Sequence, residues 1–170
     1  MAQVEPARPR GRFAAAVPPL PLLVLGALCW GVMMAFSASL AIYCRNGLQT
    51  DSALDLVVLY FLGGLLAWPC SISVARFSAY SKPTETRFAA FVLWLSLGTM
   101  AMTAFLFAMD YRIFYSRWHA PFGSLVWMFQ FAFTGASAVY QFAVLGSRLF
   151  MPLGLPFLLV TSLYLARRTR

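Results

Sequence analysis

Asp110, Arg117 and His119 place an acid, a guanidinium and the chain's single imidazole close together, at the end of an apolar run. An arginine there could bind a phosphate, and an aspartate with a histidine could shuttle a proton. Their spacing matches no catalytic motif. The sequence also lacks a phosphate loop, a zincin motif, a nucleophile elbow and a dinucleotide fingerprint. One histidine cannot supply the two axial imidazoles of a b-type haem, nor a histidine-based metal site. Cys29, Cys44 and Cys70 are odd in number and form no C-x-x-C pair, so they read as small packing residues rather than a disulfide framework. Asp51 and Asp55 could hold a cation, but acidic residues opening a helix are ordinary. No metal, cofactor or enzymatic activity is expected. The three residues at 110–119 stand as a candidate outer-surface site.

A second pattern is polar and intramembrane. Gln130, Thr134, Ser137 and Gln141 recur at steps of four, three and four, so they share one stripe of a helix. Glutamine in hydrocarbon costs free energy unless its amide is partnered, so the stripe should face another helix or water. The opposite side carries Ala132, Ala136 and Ala143, which allow a second helix to approach closely. Ser96, Thr99 and Thr103, followed by Asp110, lie on one side of the preceding run. The two stripes could pair as a hydrogen-bonded seam or line a polar path. A seam is favoured because such bonds are common between membrane helices.

Composition dictates the elements that hold these residues. Of 170 residues, 61% are hydrophobic and 11% charged, too apolar for a soluble domain. The reading is an all-α, polytopic transmembrane helical bundle. A basic arm, residues 1–19, precedes spans at about 20–43, 53–74, 88–109 and 122–146, with a contested fifth at 149–166. The first run is too long for a signal peptide, although Ser37-Ala38-Ser39 resembles a cleavage site. Gly63-Gly64 and Pro69 predict close helix contact or a kink in the second span. Thr84 is expected as the N-cap of the third. Tyr111, Phe114, Tyr115 and Trp118 predict a short interfacial helix. The chain must turn near Gly146-Ser147-Arg148, after which Pro152 could open the last helix.

The net charge is +8, and the arginines sit at the ends of apolar runs, which is how basic residues set topology. Five spans would divide them almost evenly. Arg8, Arg10, Arg12, Arg76, Lys82, Arg87 and Arg148 would lie inside, against Arg45, Arg112, Arg117, Arg167, Arg168 and Arg170 outside. Four spans would move the last three inside and give a clear bias. Hydrophobicity nonetheless argues for inserting 149–166, and five spans is the preferred count. The expected role is an accessory, assembly or scaffolding subunit of an inner membrane complex. The alternatives are a small-solute permease or channel lined by the Gln130–Gln141 stripe, and a lipid-modifying enzyme. Expected partners are the lipid bilayer and other membrane proteins or a second copy, not nucleic acid. The expected location is a bacterial inner membrane with the N-terminus cytoplasmic.

Overall fold

A computed structural model describes residues 11–45, 52–151 and 153–169. Arg8, Arg10, Asp51, Pro152 and Arg170 lie outside these, so the expectations placed on them go no further. Every regular element among the described residues is helical: α1 (Arg12–Ala16), α2 (Leu20–Cys44), α3 (Ala53–Ala79), α4 (Thr84–Tyr115), α5 (Leu125–Val144) and α6 (Gly154–Arg168). Short 3-10 turns at Ser116–Trp118 and Gly146–Phe150 follow α4 and α5. Four helical stretches are long and apolar enough to cross a membrane: Leu20–Cys44, Ala53–Ala79, Thr84–Trp118 and Leu125–Phe150.

Helix α3 lies between α2 and α4, and glycines set both contacts. Gly64 backs onto Met34 and Gly31 of α2, and Gly63 meets Thr103 of α4. From the other side, Gly31 faces the carbonyl of Phe61, and Gly98 faces Ser71. Without a water-driven hydrophobic effect between helices, close backbone approach is a main source of association in lipid. The close contact expected of Gly63-Gly64 is therefore present. α3 continues as helix through Pro69, whose carbonyl accepts from Ser73 Oγ at 2.7 Å.

The principal core joins Trp30 and Met34 of α2, Trp68 and Ile72 of α3, Phe91 and Leu95 of α4, and Leu165 and Ala166 of α6. Trp30 Nε1 donates to Thr99 Oγ1 at 2.9 Å inside it.

Two local expectations change, and a third is left open. Pro83, not Thr84, occupies the N-cap of α4; Thr84 is the first helical residue, and its hydroxyl accepts from Arg87. Proline's fixed φ and missing N–H suit a position just before the first turn. The aromatic group Tyr111, Phe114, Tyr115 and Trp118 does not form a separate interfacial helix. No breaker precedes it, so α4 runs on through Tyr115, and the rings stack along its end, Tyr111 and Tyr115 with centroids 4.6 Å apart. The contested last segment yields α6, 15 residues long. That is about 22 Å of helix, short of a core of about 30 Å.

Candidate functional site

The turn at Gly146–Phe150 interrupts an apolar stretch, and the surrounding helices are built to receive it. Where a helix ends, its last carbonyls lose their intrahelical donors. In an apolar setting each must find another partner. Tyr60 of α3 donates its hydroxyl to the Gly146 carbonyl. Ser37 of α2 donates to the Phe150 carbonyl at 2.8 Å and lies 3.4 Å from that of Leu149. Both side chains are buried, and Tyr60 packs between Phe142 and Phe150. Gly146 sits where a Cβ would run into the Phe142 ring, so only glycine lets the turn lie this close.

From this turn α6 leads away along α4 and α2. Its start, Gly154, lies near Ser37, and its end is tied down where Arg87 donates to the Thr169 carbonyl. Phe142 meets Phe107 of α4, while Leu165 and Ala166 meet Phe91 and Leu95. The path of α5, turn and α6 therefore descends α4 steadily toward its beginning. The basic residues Arg76, Lys82, Arg87 and Arg168 gather at that end. Arg12 joins the same end, with its guanidinium 4.1 Å from the Phe77 ring centroid.

The polar stripe of α5 points at the end of α4 and the connection after it. Gln130 Oε1 accepts the backbone N–H of Ala120 at 2.8 Å. Thr134 Oγ1 lies 3.3 Å from His119 Nε2. Gln141 Nε2 is 3.5 Å from the Tyr111 hydroxyl, at the limit of a hydrogen bond. Ser137 is exposed. Alongside, the Arg112 guanidinium lies 3.6 Å over the Phe131 ring centroid, a cation–π contact that ties α4 to α5. Gln130 thus closes the α4–α5 connection by capping one of its amides.

The stripe of α4 faces elsewhere. Thr99 receives Trp30, and Thr103 bonds the Thr99 carbonyl at 2.7 Å while backing onto Gly63. Ser96 bonds back to Leu93 of its own helix at 3.0 Å. The two stripes do not meet, because Thr99 and Thr103 turn toward α2 and α3 while α5 packs on another part of α4. Asp110, Arg117 and His119 do not converge either. Asp110 and Arg117 are exposed, and the polar contact His119 makes is with Thr134. Cys29, Cys44 and Cys70 are free and exposed. Among the described residues no three His, Cys, Asp or Glu side chains gather as a metal site would require.

Ser37 and Tyr60 are polar groups inside apolar runs, and nothing local to either one ties it to the Gly146–Phe150 turn. The signal available was the pairing of two hydroxyls with a Gly-Ser-Arg break elsewhere in the chain.

No family model matches the chain, and no curated protein or solved structure is detectably similar to it.

Proposed function

We propose that the chain is an integral membrane protein with four crossings, the fourth made by α5 and α6 in series, and that it serves as an accessory, assembly or scaffolding subunit. Alone, α6 is too short to cross, but joined to α5 through the Gly146–Phe150 turn it carries the chain onward to the basic end. This path places Arg12, Arg76, Lys82, Arg87, Arg167 and Arg168 at one end, with Arg45, Arg112 and Arg117 at the other. The positive-inside rule then puts the basic end in the cytoplasm, which in a bacterial inner membrane makes both termini cytoplasmic.

One observation carries the subunit reading: the outer face of α5 is left open. Only 11% of the most apolar part of Leu125–Phe150 is buried within the molecule, against 39% for that of α3. Ala132 and Ala136 are exposed there, and a Cβ added at Gly135 would meet nothing within 4 Å. Phe129, Phe133 and Tyr140 flank this shallow strip as large exposed side chains. A small-residue strip edged by aromatics suits a second transmembrane helix, from a partner or another copy. The permease reading draws less support, since Gln130 caps the Ala120 amide and Gln141 reaches Tyr111. The enzyme reading would need Asp110, Arg117 and His119 to come together.

Gly135→Leu and Ala136→Trp test the proposal. Each should leave the thermal unfolding midpoint in mild detergent nearly unchanged, because there is room for the new side chain. Photo-crosslinking from position 132 in the native membrane should give one adduct of defined mass, and both variants should abolish it. An adduct that survives both substitutions would argue against docking on this face. Solute flux in proteoliposomes, lost on changing Gln130 and Gln141 together to Leu in a folded protein, would restore the permease.

A further inference from the structure

The end of the molecule that gathers the basic residues is also hollow. A cavity of about 1330 Å³ opens between the start of α2, the α3–α4 turn and the end of α6. It is larger than the roughly 300–1,000 Å³ of an ordinary small-molecule pocket. Arg76 of α3, Lys82 of the α3–α4 turn, Arg87 of α4 and Arg168 of α6 line it, and none of its described lining residues is acidic. Leu22 and Leu25 of α2 form an apolar wall. Leu25 is exposed on the outside of that helix, so the wall continues onto the surface that would face acyl chains.

Lys82, Arg87 and Arg168 bring like charges to one space, and an anion entering it would relieve their repulsion. Arg87 is held in place beside the cavity by its two terminal nitrogens, which reach the Thr169 carbonyl and Thr84 Oγ1. Guanidinium groups match phosphate oxygens in both charge and geometry.

From these features we infer that the cavity binds the phosphate headgroup of an anionic phospholipid, with its acyl chains lying along Leu22 and Leu25. The inference rests on the membrane placement proposed above and not on the docking face of α5. A cytoplasmic leaflet is where anionic lipids meet basic pockets between helices.

The test uses the full chain in nanodiscs of phosphatidylcholine containing a small fraction of phosphatidylglycerol, with co-purified lipid measured by mass spectrometry. The wild-type protein should retain phosphatidylglycerol preferentially. K82Q and R168Q, both at exposed side chains, should each weaken that retention about five-fold, as ~1 kcal/mol per basic group near a membrane surface implies. R87Q should do at least as much, but the two exposed variants decide the matter should it misfold. R45Q and R117Q remove the same charge at the opposite end and should leave retention unchanged. Three results would each overturn the site. One is no lipid preference in the wild type. Another is an equal loss in R45Q and R117Q, which would mean attraction to overall charge. The third is thermal protection by inorganic phosphate or glycerol 3-phosphate matching that of the lipid, which would mean a soluble phosphate ligand. Extraction of the chain by alkaline carbonate would instead count against the membrane placement itself.

Discussion

Ser37 is a single hydroxyl whose value depends on a break more than a hundred positions away. Its donation to the Phe150 carbonyl replaces a bond that the interrupted helix cannot make. Removing it leaves a carbonyl in apolar surroundings, and an unsatisfied buried acceptor costs about 1–3 kcal/mol. Ser37→Ala should therefore lower stability by that amount, read from the unfolding midpoint in detergent. Tyr60→Phe should do the same through the Gly146 carbonyl. A wild-type midpoint in both variants would mean the turn has other donors. Arg112 teaches a related lesson, since its aromatic partner, Phe131, belongs to the next helix.

At the level of elements, helix spacing rests on what lies opposite each glycine. A Cβ at Gly31 would stand 2.9 Å from the backbone oxygen of Phe61, which cannot move without shifting α3. A Cβ at Gly98 would collide with Ser71 Oγ, the tip of a short side chain that can turn away. Overpacking costs about 1–3 kcal/mol, while alanine in place of glycine returns about 1 kcal/mol of helix propensity. Gly31→Ala should thus be clearly destabilising and Gly98→Ala close to neutral. The comparison is a pair of unfolding curves, and the reverse order would mean that the α2–α3 spacing is more yielding than its backbone contact implies. The run of α4 through Tyr115 belongs at this scale too. Aromatic spacing alone could not distinguish a new interfacial helix from the continued end of an old one.

For the whole molecule the decisive quantity is where the C-terminus lies. If α5 and α6 form one interrupted crossing, Thr169 shares a side with Lys82 and opposes Ser116. In a background with Cys29, Cys44 and Cys70 replaced by serine, K82C and T169C should react with an impermeant maleimide from one side. S116C should react from the other. T169C labelled together with S116C would restore five crossings. An interrupted crossing would also resolve a conflict between hydrophobicity and charge: Leu165 and Ala166 lie against Phe91 and Leu95, while Arg168 just beyond them reaches the basic end.

The sequence by itself determined the helical character of the described residues, four stretches able to cross a membrane with a fifth left contested, and the need for a turn near Gly146. These follow from local properties: run length, composition, and glycine and proline punctuation. It also marked Gln130, Thr134, Ser137 and Gln141 as side chains needing partners, since an amide or hydroxyl among apolar neighbours carries that need, although Ser137 proved exposed. The identity of those partners came only with the tertiary structure. Helical periodicity fixes which residues share a face, but not the rotation or depth at which that face meets another helix. Thr99 and Thr103 accordingly turned to α2 and α3, and Gln130 to its own connecting turn. The interrupted helix was undecided for the same reason. Its exposed carbonyls are acceptable only because Ser37 and Tyr60, distant in sequence, arrive at the break.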